Sequence, residues 1–234
     1  MRFIVGQWIV IGIILGVVAI IWEHIVNPLN IGLPFKLWLT ALISWIIVHI
    51  LLLIMYRLCL SLMTQKEGVL YGVNLMLWGI AFTCYDIALT LTTKTFLHRT
   101  PPIPLLKLYG LKCGKNFSAA IGAQLGDPEL IEFGDNCRIG GFSIVTAHFL
   151  EGNKVIRKKV KLGNNVEVGG MALVSPGVTV EDNTVIGGLS FVPKDAYLNG
   201  NAIYAGVPAK KIKSLDPGMA GTQGNKHKEE KNRK

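Results

Sequence analysis

Residues 162–197 read Leu162-GNNVE, Val168-GGMAL, Val174-SPGVT, Val180-EDNTV, Ile186-GGLSF, Val192-PKDAY. An aliphatic residue opens every hexad. The second place is usually small or acidic (Gly163, Gly169, Ser175, Glu181, Gly187), and the fifth is small or β-branched (Val166, Ala172, Val178, Thr184, Ser190). A repeat this short marks a solenoid, in which each unit leans on its neighbours. Each hexad makes one flat side of a triangular prism, and three make a full coil. The aliphatic residue then points inward and stacks on its equivalent one coil away. The fifth residue fills the narrow space beside it, and Gly and Asn take the corners, where positive φ costs little. A sandwich of short strands would not hold phase through so many units, so the expected fold is a parallel β-helix.

The phase extends upstream through Phe133-GDNCR, Ile139-GGFSI and Val145-TAHFL, and more weakly through Cys113-GKNFS, Ala119-AIGAQ and Leu125. Two interruptions break it. One holds Asp127 and Pro128, and the other runs roughly from Glu151 to Lys161.

The front of the chain is a different material. Residues 3–22 carry no charge and one strong polar group, Gln7. About 20 apolar residues suffice to cross a bilayer. A secretory signal is the rival reading, but no small-residue cleavage site follows; the next residues are Glu23-His24-Ile25-Val26-Asn27-Pro28. A retained anchor is expected. A second span, Leu37–Met55, is apolar apart from Thr40, Ser44 and His49 and is bracketed by Lys36 and Arg57. A third stretch, Val69–Thr93, contains Asn74, Tyr85 and Asp86 and reads as a span, a re-entrant segment or a packed helix. An Asp in hydrocarbon is costly unless it faces protein or water, which makes Asp86 either a functional group or an interfacial one. His49 reads as a helix–helix hydrogen bond. The expected organisation is therefore a transmembrane domain over 1–97 (spans about 3–22, 37–55 and 69–93), a β-helix over 98–213 and a basic, disordered tail over 214–234.

Half the chain is hydrophobic and only 17% is charged, yet the net charge is +9. One basic set lies beside the last span (Lys94, Arg99, Lys107, Lys112, Lys115) and another in the tail (Lys226, Lys228, Lys231, Arg233, Lys234). Basic groups next to spans suit anionic lipid and a cytosolic face, so the expected location is the plasma membrane with the prism in the cytosol. The basic residues are not interleaved with aromatics and no nucleic-acid motif appears, so nucleic acid is not an expected partner. The four cysteines show no CxxC or paired spacing. Cys113 heads a hexad and Cys137 takes a fifth place, which points to core filling.

His148 is the only histidine between Arg99 and the tail, at the fourth place of Val145-TAHFL beside the longer interruption. Acyl transfer from a thioester to a hydroxyl or amine needs a base for the acceptor's proton, and an imidazole suits that role. A solvent-facing corner histidine fits the same position. One prism histidine is too few for a zinc site, and neither a Gly-x-Ser-x-Gly elbow nor a P-loop is present.

The hexads resemble those of the hexapeptide-repeat acyltransferases over roughly residues 110–213. That resemblance implies a left-handed β-helix, a homotrimer, and a site between neighbouring prisms. Thr146-Ala147-His148-Phe149, the basic loop after it and Val160-Lys161-Leu162-Gly163 are similar to the stretch that carries the catalytic histidine in maltose- and galactoside-type acetyltransferases. The match implies His148 as general base. Gly206-Val207-Pro208-Ala209-Lys210 is similar to that family's closing motif beside coenzyme A, which implies Pro208, Ala209 and Lys210 as contacts; a simple exit turn is the bland alternative. Gly169, Gly170, Ala172, Ser175 and Gly177 match its slot for the pantetheine arm, and backbone donors near Gly169 and Gly170 would serve an oxyanion. One departure is Glu167, where many acetyltransferases have Trp.

Three further pieces resemble the membrane-anchored terminal domains of poly-lysine-type non-ribosomal peptide synthetases: Asp127-Pro128-Glu129-Leu130-Ile131-Glu132-Phe133-Gly134-Asp135, His148-Phe149-Leu150-Glu151, and Leu189-Ser190-Phe191-Val192. They bring in Glu151, as an orienter of His148, as a contact for an amine acceptor, or simply as the start of a solvated loop. The resulting expectation is a membrane-anchored acyltransferase using acetyl-CoA as co-substrate, with no permanent cofactor or metal. Its acceptor would be a lipid-linked sugar or an amine. Aminoacyl transfer from a carrier-protein thioester is the second reading, and a membrane-tethered scaffold the third.

Overall fold

Leu162, Val180 and Leu198 pair in register along one sheet, and Val168 pairs with Ile186 along the next. The computed structural model describes Gly12 and residues 15–95, 102–152 and 154–215. Two units emerge: residues 1–64 with 72–91, and residues 65–71 with 92–234.

In the first unit a helix over residues 15–21 passes into a π-turn, Trp22–Val26. Apart from Gly12, the part of the span expected over 3–22 that precedes Leu15 lies outside the described residues. Helix α1, Leu33–Leu62, starts behind Gly32 with Pro34 in its first turn and is longer than the expected second span. Helix α2 is Gly72–Thr95. Both are long and apolar enough to cross a membrane. α1 buries polar Thr40, Ser44 and His49 and exposes Leu37, Trp38, Ile46, Ile50, Ile54 and Leu58. The His49 ring sets Nδ1 2.8 Å from the Trp45 carbonyl of its own helix and Nε2 3.2 Å from the Ala88 carbonyl of α2, and the Nε2-protonated tautomer donates across to α2, the helix–helix role expected of it. Asp86 is exposed on α2.

One expected boundary is corrected. Val69 and Leu70 do not open a span. They form strand β1, Gly68–Leu70, between two positive-φ glycines, Gly68 (φ 88) and Gly72 (φ 49). α1 has already ended at an extended Met63; Gly68 opens the strand, Gly72 starts α2, and β1 belongs to the second unit.

The second unit opens with helix α3, Ile103–Leu108, and continues into the prism. Its first coils hold β2 (Lys112–Cys113), β3 (Ser118–Ala119), β4 (Gln124–Gly126), β5 (Ile131–Phe133), β6 (Arg138–Ile139) and β7 (Ile144–Thr146). An excursion follows, β8 (His148–Glu151) and β9 (Lys154–Arg157). The regular coils resume with β10 (Val160–Leu162), β11 (Glu167–Val168), β12 (Leu173–Val174), β13 (Thr179–Val180), β14 (Thr184–Ile186), β15 (Phe191–Val192), β16 (Tyr197–Leu198) and β17 (Ala202–Ala205). A closing strand, β18 (Lys210–Ser214), ends the described chain near the expected boundary. The tail beyond Leu215 lies outside the described residues.

Every third strand pairs in parallel, giving three faces: β2-β5-β10-β13-β16, β3-β6-β11-β14-β17 and β4-β7-β12-β15. The hexad-opening residues Leu162, Val168, Val174, Val180, Ile186 and Val192 are buried, as are the fifth-place residues Val166, Ala172, Val178, Thr184 and Ser190. Burial of large aliphatics at about 25 cal/mol per Å² is the main stabilising term. The corners follow expectation. Asn116, Asn136, Asn165, Asn183 and Asn201 all have φ between 52 and 59 and form a ladder of amide hydrogen bonds of 2.9–3.1 Å. β18 pairs antiparallel with β17 and covers that edge. Burial pushes the Cys137 thiol above its usual value, and its Sγ–H donates to the Gly163 carbonyl, consistent with core filling.

Glu132 on β5 receives Lys112 at 2.8 Å and Lys159 at 2.7 Å. Hydrogen bonds from Lys112 first and Lys159 second hold its carboxyl below the usual glutamate range. A depressed carboxylate pKa stabilises the fold above the unfolded value, and that stabilisation is lost as pH falls through the folded value. Urea titrations from neutral to acidic pH are expected to show prism stability falling, and Glu132→Gln to flatten the fall.

Candidate active site

The first interruption of the hexads is a turn that ends one coil, and the second is a hairpin that ends the next. Gly126 pairs with Thr146 across β4 and β7, which sets the residues after them side by side. Asp127 takes a left-handed backbone (φ 59) ahead of the Pro128–Leu130 turn. His148 opens β8, which pairs antiparallel with β9. A Cβ at Gly126 would lie 2.7 Å from Thr146 Oγ1 and 3.4 Å from His148 Cε1, so only glycine lets the two coils close here.

The result is a carboxylate–imidazole pair. His148 Nδ1–H donates to Asp127 Oδ2 at 2.5 Å, and the Thr146 hydroxyl donates to the His148 carbonyl at 3.2 Å. The Asp127 side chain is 3% exposed and that of His148 21%. With Nδ1 carrying the proton toward the carboxylate, Nε2 carries the lone pair, the tautomer a base needs. Arg157 on β9, wholly buried, reaches Asp127 Oδ1 at 3.3 Å and also pairs with Glu129.

Asp127 and Arg157 were not anticipated as site residues. The available signal was the interruption itself: Asp127 sits where one coil breaks phase, and the next coil breaks at His148. Glu151, expected as a possible orienter of His148, is corrected in that role. It stands at the far end of β8, exposed, and pairs with Lys194 at 3.2 Å. β8 is extended, so three residues carry Glu151 about 10 Å along the strand from His148. The segment expected as an irregular basic loop is this hairpin.

The residues matched to a pantetheine slot divide into two groups. Val174 pairs with Val145, so Ser175 lies one coil beyond Thr146, on the corner that bears His148. Gly177 (φ 80) is near it; a Cβ there would meet Asp195 Oδ1 at 2.2 Å and Lys158 Cδ at 3.2 Å. Gly169 and Gly170 occupy the corner at the other edge of the β12 face, roughly 15 Å away at 3.3 Å per residue. The Gly169 N–H is already bonded to the Ile186 carbonyl at 2.7 Å, so it is no oxyanion donor. A Cβ at Gly169 would lie 2.3 Å from the Gly188 nitrogen. Close coil packing accounts for that glycine, and Gly169→Ala is expected to cost the prism about 1–3 kcal/mol in urea unfolding, with or without ligand. Ala172 is corrected as well: it points into the prism and is 1% exposed, out of reach of any ligand.

Gly169 does line an open groove of about 470 Å³, with Ser118, Ala120, Arg138, Glu167 and Gly187. The Gly206–Lys210 segment is a turn between β17 and β18. Gly206 and Ala209 both bond Phe191 on β15, so Val207 and Pro208 lie exposed at the end of the third face. Lys210 is exposed at the start of β18.

The hexad repeat and the three-faced parallel coil make the chain similar to the hexapeptide-repeat acetyltransferases. The chain is 31% identical over 123 residues to galactoside O-acetyltransferase of Escherichia coli (strain K12), a match covering 50% of this chain and 60% of that one. It thus spans about three fifths of the length of that relative. Among solved structures it is similar to a maltose O-acetyltransferase from Clostridium difficile 630 (28% identity, TM-score 0.39, 47% of this chain and 61% of that one). It is also similar to a hexapeptide-repeat acetyltransferase from Vibrio cholerae O1 biovar eltor, complexed with acetyl coenzyme A (22% identity, TM-score 0.42, 46% and 61%). No family model matches the chain.

Proposed function

We propose that this chain is a membrane-anchored acetyltransferase, moving an acetyl group from acetyl-CoA to a hydroxyl or amine of a membrane-associated acceptor. The observation that carries the reading is the 2.5 Å contact between His148 Nδ1 and Asp127. Nε2 takes the acceptor's proton, and the acceptor oxygen or nitrogen attacks the thioester carbonyl. The tetrahedral intermediate collapses with cleavage of the C–S bond, and the imidazolium returns its proton to the departing sulfur. Asp127 stabilises the imidazolium between the two steps. Galactoside O-acetylation by the Escherichia coli relative supports a sugar hydroxyl as acceptor.

Ser175, Gly177, Pro208, Ala209 and Lys210 are the proposed contacts for coenzyme A, and Glu151 with Lys194 the contact for an acceptor at the open end of the hairpin. Gly169 and Gly170 stand a full face away from His148, so both sets can serve one site only if a second prism lies alongside. A homotrimer supplies that neighbour. Exposed Phe142, Met171 and Leu189, all at left-handed corners (φ 56–57), support it. Bulky side chains there cost about 1–3 kcal/mol each, which burial against another copy offsets. Met171→Gly with Leu189→Gly is therefore expected to shift the detergent-solubilised protein toward monomer in analytical ultracentrifugation, with the prism still folded.

The membrane reading is supported by the outer face of α1, which exposes Leu37, Ile46, Ile50, Ile54 and Leu58 while Thr40, Ser44 and His49 are buried. Calorimetry of the solubilised protein with acetyl-CoA tests the donor. Micromolar binding retained in His148→Ala supports it. No binding would remove coenzyme A and favour a carrier-protein thioester.

A further inference from the structure

Arg157 is wholly buried on β9, opposite His148 in the β8–β9 ladder and opposite Gly68 in the β1–β9 ladder. A buried guanidinium is costly unless its charge is met. Here Nη2 meets two carboxylates, Asp127 Oδ1 at 3.3 Å and Glu129. Nη1 donates to the Lys66 carbonyl at 3.0 Å. That carbonyl lies just before β1, in the short segment joining α1 to α2.

The two oxygens of Asp127 are thereby divided: Oδ1 faces Arg157 and Oδ2 faces His148 Nδ1. Without the arginine the carboxylate has one fewer reason to hold that orientation and less reason to stay ionised so far from water. The charges also bear on the reaction. Arg157 faces both Asp127 and Glu129, and the carboxylate it holds is the one that faces the imidazole. Among the groups set beside His148 are Asp127 from the first interruption and Thr146 from β7, with Arg157 and Glu129 behind Asp127.

We infer that Arg157 is a positioning residue for His148, acting through Asp127, and that the Lys66 carbonyl locks the arginine in place. The inference rests on the reading of His148 as the base. It makes the link between the two long helices part of the site. A prism cut free at residue 98 would lack the Lys66 carbonyl and the β1 strand that completes the β8–β9 sheet.

The test is the tautomer of His148, read by ¹⁵N NMR on the full chain in detergent with labelled histidine, assigned by His148→Gln. The wild type is expected to show the Nδ1-protonated form. Arg157→Met is expected to give a mixture of tautomers and a fall in turnover of about 10–100-fold, with KM for acetyl-CoA unchanged. Arg157→Lys keeps the charge, but one ammonium cannot serve two carboxylates and the Lys66 carbonyl from the same place, so the same direction is expected. Glu129→Gln leaves Arg157 intact and serves if Arg157→Met does not fold; a smaller loss of turnover is expected. Wild-type tautomer and turnover in a folded Arg157→Lys would overturn the inference, because a purely structural ion cluster would behave that way. The base reading fails separately, if His148→Ala keeps its turnover while the Arg157 variants still disturb the tautomer.

Discussion

His148→Ala is expected to lower the turnover number for acetyl transfer by about 10²–10⁴-fold, the usual worth of a positioned general base. At 1.36 kcal/mol per tenfold, that is about 3–5 kcal/mol of transition-state stabilisation. Acetyl-CoA binding should be unchanged, since in the proposed mechanism the imidazole acts on the acceptor's proton and holds no part of the donor. Stability should change little, because His148 stands at the edge of a hairpin and contributes no side chain to the stacked core. Steady-state rates at saturating acetyl-CoA, with calorimetric binding on the same preparation, separate these effects. A scaffold would lose nothing.

Asp127→Asn should strike both chemistry and fold. The amide can present N–H to His148 Nδ1, which moves the imidazole proton to Nε2 and removes the lone pair from the reacting side. A fall in turnover of about 10²–10⁴-fold follows, comparable to loss of the base itself. The substitution also removes one of two carboxylates from buried Arg157. Breaking a buried pair from one side costs about 3–5 kcal/mol when the remaining charge is left uncompensated. Glu129 stays beside Arg157, so the lower end of that range is expected in chemical denaturation. The pairing of a large kinetic loss with a measurable stability loss distinguishes Asp127 from His148.

The prism was readable because its rule is local and strict. Leu162, Val168, Val174 and their successors repeat at one spacing, and each lands on its equivalent one coil away. The asparagine corners were equally plain, since a left-handed turn repeated at one place favours one residue type. His148 stood out by being alone. Asp127 did not, because its partner is set by coil register rather than by sequence distance: the two are 21 residues apart, a coil lengthened by the Pro128–Leu130 turn. Arg157 was one basic residue in a basic loop until β9 placed it inside. β1 was hidden within an apolar run, where Val69 and Leu70 read equally well as the start of a helix; the positive-φ glycines on either side bracket the strand. Gly169 and Ala172 fit a slot pattern, yet coil packing demands the glycine and Ala172 is an inward, buried fifth-place residue.

The account turns on acetyl transfer by the His148–Asp127 pair. The most direct measurement is acceptor-dependent release of coenzyme A thiol from acetyl-CoA, by membranes carrying the wild type or His148→Ala at equal abundance, with a galactoside offered as acceptor. The account predicts release in the wild type that rises with galactoside and is nearly absent in His148→Ala. Equal release by the two proteins, with or without acceptor, would contradict it.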